Sequence, residues 1–195
     1  KMCPYLDVHD AATYDQEMSE ETFTTLLPSL RWLPSLHLSG SGEPFFNRNV
    51  IRFIEMARAV NPRIEVDITT NGTLLTERLA RELVRVRVTR LVVSIDGVSE
   101  KTVGAIRIGI NLPKVLANLK VLAAVKHELG KAEPIVRVNY MVGYGSYQEL
   151  PDFISAAKSL GVAEVNVLEV LTGTEEAFED NLLNSIARDG GRALR

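Results

Sequence analysis

The sequence predicts an α/β fold built on a parallel sheet, and three observations carry that reading. Segments whose apolar residues recur at every second position are followed, again and again, by segments with apolar residues at helical spacing. The strand segments are separated by crossovers long enough for a parallel return, which needs about a dozen residues. The stretches where one period gives way to the other are polar or glycine-containing, as in SGSGEP (Ser39–Pro44) and at Asn71–Gly72.

Taken in order, EMSEETFTTLLPSL (Glu17–Leu30) offers Ser19 as an N-cap with acids in the next turn, predicting a helix from near Ser19. SLHLS (Ser35–Ser39) alternates as a strand, and NRNVIRFIEMARAV (Asn47–Val60) has the spacing of an amphipathic helix. RIEVDITT (Arg63–Thr70) is the second strand. It is followed by an Asn-Gly turn and by LLTERLARELVRV, which has helical spacing. TRLVVSID (Thr89–Asp96) reads as a buried parallel strand, and Leu112–Gly130 as a helix with Pro113 near its start and Gly130 at its stop. EPIVRVNYMVG (Glu133–Gly143) gives a fourth strand, Ser146–Gly161 a helix, and AEVNVLEVL (Ala163–Leu171) a fifth strand. From Thr172 the pattern lapses, and 173–195 reads as a linker or the start of a C-terminal extension.

With 195 residues, 46% hydrophobic and 24% charged, the chain has the size and composition of one globular domain. A net charge of -3 gives no general attraction for nucleic acid or anionic membrane, so neither is an expected partner. No apolar run approaches the roughly 20 residues of a membrane span, and the N-terminus lacks a signal-peptide pattern. A single cysteine, Cys3, cannot make an internal disulfide. The expected setting is the cytoplasm.

Ligands of parallel α/β folds bind at the carboxyl ends of the strands, where loops can vary without disturbing the core. The polar residues there are Ser39–Glu43, Thr70 and Asn71, Ser94 and Asp96, Asn139 and Tyr140, and Glu169. All are expected to gather on one rim.

These residues resemble the radical S-adenosylmethionine (SAM) enzymes, whose signature is C-x3-C-x2-C after the first strand and GGE or GGEP after the second. MCPY (Met2–Tyr5) is similar to the end of the cysteine motif, with Cys3 as the third ligand, and SGSGEP is similar to GGEP with serine for the first glycine. TTNGTLLT (Thr69–Thr76), VSIDGVSEKTVGAIR (Val93–Arg107) and ELPDFISAAKSLGVAEVNV resemble the branch that often carries a cysteine-rich SPASM or twitch extension. The resemblance runs from Met2 to about Leu171.

It implies a partial (β/α)6 TIM-like barrel over residues 1–172, with the first strand upstream of Lys1. The other two cysteines are then expected at the position immediately before Lys1 and four residues earlier. An open barrel lacking its first strand exposes an unpaired edge, so such a fragment in isolation is expected to aggregate or to order incompletely.

The implied cofactors are a [4Fe–4S] cluster, with Cys3 as a metal ligand, and SAM, with a reductase as electron donor. Reductive cleavage of SAM gives a 5'-deoxyadenosyl radical that takes hydrogen from a substrate, a peptide or a sugar or cyclitol. By resemblance Glu43 accepts from the SAM ammonium, Gly42 allows close backbone approach, Ser94 meets the ribose and Arg107 the carboxylate. Ser41 and Asn71 line the same rim, while Asn139 and the backbone around Leu168 are candidates for the adenosine. No catalytic residue is named.

Structural roles compete for each position. Cysteine packs well in cores, Glu43 can favour a helix dipole, Asn71–Gly72 makes a turn in its own right, Ser94 and Asp96 can cap the following segment, and Arg107 can form a surface ion pair. Arg78, Arg81, Arg85, Arg87 and Arg90 interleave with Glu77 and Glu82 in the manner of a solvated helix face. His9, His37 and His127 are too dispersed for a metal site. Two rival functions remain at this level: a barrel lyase or aldolase using Glu43, Asp96 and Arg107, and a cluster-free barrel that binds a nucleoside or a partner without catalysis.

Overall fold

The computed structural model of the chain describes residues 17–40, 42–107, 109–143 and 146–169, without the side chains of 105, 106 and 169. The expectations for Cys3, Ser41 and the segment beyond Glu169 lie outside the described residues.

Five parallel strands form one sheet in sequential order: β1 (Ser35–Leu38), β2 (Glu65–Thr70), β3 (Arg90–Ser94), β4 (Ile135–Val142) and β5 (Glu164–Glu169). The helices are α1 (Glu20–Thr24), α2 (Leu27–Leu30), α3 (Val50–Val60), α4 (Glu77–Arg85), α5 (Glu100–Ile106), α6 (Leu112–Glu128) and α7 (Leu150–Ala157). The predicted parallel α/β class is what the chain adopts.

Alternation along the strands separates two faces. Val66 and Ile68, Leu91 and Val93, and Val136, Val138, Tyr140 and Val142 are buried together with Phe53, Ile54, Leu83, Leu119 and Leu122 of the helices. At about 25 cal/mol per Å² of apolar surface, each such aliphatic side chain contributes roughly 1.5–3 kcal/mol. The opposite face is polar. Its rows in register are His37, Asp67 and Arg90, then Arg137 and Glu164, then Ser94, Asn139 and Asn166. Three contacts tie it together: Asp67 pairs with Arg90 at 2.6 Å, Arg137 with Glu164 at 2.5 Å, and Asn166 donates to Asn139 at 3.1 Å.

Side-chain caps start four of the helices. Ser19, Thr76, Ser99 and Asn111 accept from the backbone N–H of Thr22, Leu79, Thr102 and Lys114, contacts worth about 1 kcal/mol each. The helix expected from Ser19 is broken in two, because Pro28 removes an N–H that a continuous helix would use. Its pieces bury Phe23, which stacks on Phe53 of α3 at 4.4 Å, and Leu30.

Helix α5 is absent from the sequence reading. Its seven residues are too few to establish a helical period, although Ser99 marks its start. Nor do the five arginines share one helix face. Arg81 and Arg85 are on α4 and pair with Glu77, Glu128, Glu55 and Glu82, whereas Arg90 is in β3. Among the described residues no helix is long and apolar enough to cross a membrane.

Candidate functional site

The chain leaves β1 through Ser39–Gly42 and enters a short 3₁₀ turn, Pro44–Phe46, which Glu43 caps. Glu43 is held mainly by the neighbouring strand. Its Oε1 accepts from Thr70 Oγ1 at 2.6 Å, and its Oε2 from the backbone N–H of Asn71 at 2.8 Å. Thr70 is buried, and its hydroxyl oxygen accepts in turn from the Gly72 N–H at 3.0 Å. A carboxylate has about four lone-pair positions. These two bonds and a longer one from the Phe45 N–H at 3.4 Å leave one for a cation above the rim. Among the described residues a Cβ placed on Gly40 or Gly42 would meet nothing within 4 Å.

The turn after β2 is fixed independently. Asn71 Oδ1 accepts from the Thr73 N–H and hydroxyl, while Asn118 of α6 donates to the carbonyls of Gly72 and Thr73. Gly72 has φ +76°, and an added Cβ would stand 2.9 Å from Val115. Glycine is therefore required there twice over, by conformation and by space. The Asn71 side chain makes this turn, and its N–H serves Glu43.

Beyond β3, Asp96 is fully buried. Its Oδ1 accepts from the Met141 N–H of β4 at 2.8 Å, and its Oδ2 pairs with Arg107 Nε in a short contact. Arg107 thus has a protein partner already, a buried carboxylate rather than a surface acid, and its guanidinium keeps further donors on NH1 and NH2. Ser94 is in register with Asn139. The Asn71 backbone follows Thr70, which pairs with Val93, so Glu43 and Ser94 sit over adjacent strands about 4.8 Å apart. Leu168, on β5 and partly exposed, is in register with Met141. The structure brings Gly42, Glu43, Asn71, Ser94, Arg107, Asn139 and Leu168 to one end of the sheet.

Sequence reasoning missed Glu149. This carboxylate, just after β4, accepts from the N–H groups of Val98 and Ser99 and from the hydroxyls of Ser99 and Thr102. Burial works against its ionisation, but the hydrogen bonds outweigh that cost and hold its pKa below the usual carboxylate value. No local signal could have found it, because its partners lie about 50 residues away. The nearest clue was Gly97, where a Cβ would come within 2.8 Å of Glu149 Oε2.

The sequence profile of the Radical SAM superfamily matches residues 2–168. The chain belongs to the radical SAM superfamily. Members of this superfamily are enzymes that use a [4Fe–4S] cluster and SAM. A tungsten-containing aldehyde ferredoxin oxidoreductase cofactor-modifying protein of Pyrococcus furiosus is 30% identical over 172 residues, which are 84% of this chain and 46% of that protein. A probable GTP 3',8-cyclase of Saccharolobus islandicus is 29% identical over 70% of this chain and 41% of its own length. The chain thus spans about half the length, or less, of the curated relatives it matches.

Among solved structures, anSMEcpe with bound AdoMet and a peptide superposes with a TM-score of 0.66 at 16% identity, covering 97% of this chain and 58% of that one. Coproporphyrinogen III oxidase of Escherichia coli gives 0.57 at 13% identity, covering 88% and 46%. These likenesses place the five-stranded sheet among the TIM-like barrels of radical SAM enzymes.

The donor set at the rim fits the two cofactors unequally. Glu43, with a lone pair left and no described residue within 4 Å of a Cβ on Gly42, fits the ammonium of SAM. A cluster bound by three thiolates needs two more than this sequence carries, since Cys3 is its sole cysteine. Among the described residues no group of three or more His, Cys, Asp or Glu stands ready to hold a metal ion.

Proposed function

We propose that this chain is the SAM-binding core of a radical SAM enzyme that acts on a peptide or on a small organic molecule such as a sugar or cyclitol. Cys3 would hold one iron of a [4Fe–4S] cluster, and that cluster and SAM together would supply the radical chemistry for hydrogen abstraction. A reductase provides the electron, and the working compartment is the cytoplasm.

The chain's own residues bind and orient. Glu43 accepts from the SAM ammonium and Gly42 leaves the backbone room to approach it. Arg107, steadied by Asp96, offers its outer guanidinium N–H groups to the SAM carboxylate. Ser94 contacts the ribose, Asn139 and the backbone near Leu168 receive the adenosine, and Ser41 and Asn71 complete the rim. The polar sheet face beneath supports a hydrophilic substrate held next to SAM. The relatives' names support breadth of substrate, ranging from a GTP cyclase to an enzyme crystallised with a peptide.

The observation that carries this reading is the Glu43 carboxylate pinned by Thr70 and Asn71 at the mouth of the sheet. The test uses the full-length gene product, reconstituted anaerobically with iron and sulfide and incubated with SAM and a reductant. Formation of 5'-deoxyadenosine is expected, and its loss in Glu43→Ala. A protein that assembles no cluster yet binds nucleosides would favour the cluster-free binding module instead.

A further inference from the structure

The segment from Gly97 to Arg107 includes α5 and buries Val103 in the core, and the SAM contacts proposed for Ser94 and Arg107 lie beside its two ends. It is closed at its mouth by Asp96, which joins Arg107 to the Met141 N–H of β4. Its middle is gripped from outside. Glu149 takes the N–H groups of Val98 and Ser99 at 2.7 and 3.1 Å, and the hydroxyls of Ser99 and Thr102 at 2.6 Å each. Those amides, which open α5, are satisfied by this carboxylate and are not available to a ligand. Gly97 lets the carboxylate lie against the backbone, since a Cβ there would meet Glu149 Oε2 at 2.8 Å and Thr102 Cγ2 at 2.9 Å.

We propose that Glu149 is a positioning residue for SAM: it fixes the loop after β3 against the loop after β4, and thereby places Arg107 and Ser94 for the cofactor. This rests on the SAM-binding reading above. The carboxylate is suited to the task because four donors converge on one group, so that loop placement depends on a single side chain supplied by the connection after β4. A neutral amide of the same shape keeps one acceptor oxygen: with that oxygen on the two N–H groups its NH₂ faces the Ser99 and Thr102 hydroxyls, which must turn to accept, and all four bonds lose the charge that strengthened them. The loop then loosens while the sheet beneath it, to which none of these four hydrogen bonds runs, stays packed.

The test compares wild type, Glu149→Gln, Glu149→Asp and Gly97→Ala in the full-length, cluster-loaded protein. SAM dissociation constants are measured by equilibrium titration, and amide exchange is followed over residues 97–107. Glu149→Gln is expected to weaken SAM binding about tenfold or more and to accelerate exchange in that segment, with iron content and exchange in β2 and β3 unchanged. Glu149→Asp restores part of the affinity. Gly97→Ala, which displaces the carboxylate without altering it, weakens SAM in the same direction and serves if the Glu149 variants fail to fold. Affinity within twofold of wild type in both Glu149→Gln and Gly97→Ala overturns the inference. Loss of exchange protection throughout the sheet also overturns it, because Glu149 is then a support of the whole fold. Wild-type protein that binds no SAM overturns the functional reading and this inference together.

Discussion

Removing either partner of the Asp96–Arg107 pair tests how the rim is built, because the two ends of the pair differ in access to water. Asp96 is fully buried, whereas about a quarter of the Arg107 side chain is exposed. In Asp96→Asn the guanidinium loses its charged partner but can turn toward solvent, so the cost is that of a charge-assisted hydrogen bond, about 1.5–3 kcal/mol. In Arg107→Gln the carboxylate is left in the interior with the Met141 N–H and no route to water. Breaking a buried pair from that side costs about 3–5 kcal/mol. For a protein of this size 3 kcal/mol corresponds to roughly 6–12 °C in Tm. The assay is urea or thermal unfolding of the SAM-free, full-length protein at neutral pH, completed by the double variant, whose loss should be smaller than the sum of the two single losses. Arg107→Gln costing less than Asp96→Asn, or a double variant that is strictly additive, would refute the idea that the buried carboxylate depends on this guanidinium.

Other outcomes follow from the same geometry. Thr70→Val removes the 2.6 Å bond to Glu43 and the acceptor of the buried Gly72 N–H, and should weaken SAM binding several-fold with a stability loss of about 1–3 kcal/mol; calorimetric titration beside a melting curve separates the two effects. Gly72→Ala should cost about 1–3 kcal/mol in unfolding experiments, since its Cβ meets Val115 and its φ is positive. Glu149 has a depressed pKa in the folded protein, so its contribution is present above the ordinary carboxylate value near 4.5 and is lost as pH falls through the lower folded value. The stability difference between wild type and Glu149→Gln should therefore hold from neutrality down to about 4.5 and shrink as pH falls from there through the folded value in acid-unfolding titrations. Arg81→Ala should leave the melting temperature essentially unchanged, because its pairs with Glu77 and Glu128 are solvent-exposed.

Much of the fold was legible because its signals are local. The strand over Ile135–Val142 alternates polar and apolar residues through its middle, and Pro113 marks the start of α6. The start of α3 was less sharp, since Pro44–Phe46 form a separate 3₁₀ turn before Val50. Glu43 could be singled out because glycine, an acid and proline coincide at a change of period. Its support by Thr70 could not be read, nor could the burial of Asp96, because both depend on which strands become neighbours. The same limit hid Glu149. A partner set about 50 residues away leaves no mark on the residues that flank it, whereas a helix cap sits three residues from its donor.

The way Glu43 is anchored has a consequence for variation. Its position is inherited from the adjacent strand, so Ser39 and Gly40, which lead out of β1, need only span a gap. Among the described residues nothing stands within 4 Å of a Cβ added to Gly40, and an exchange there is cheap as long as the length of the bridge is kept. Drift should therefore accumulate at Gly40 and be resisted at Gly42, where SAM is proposed to approach, and at Thr70, a residue that no familiar motif would mark out.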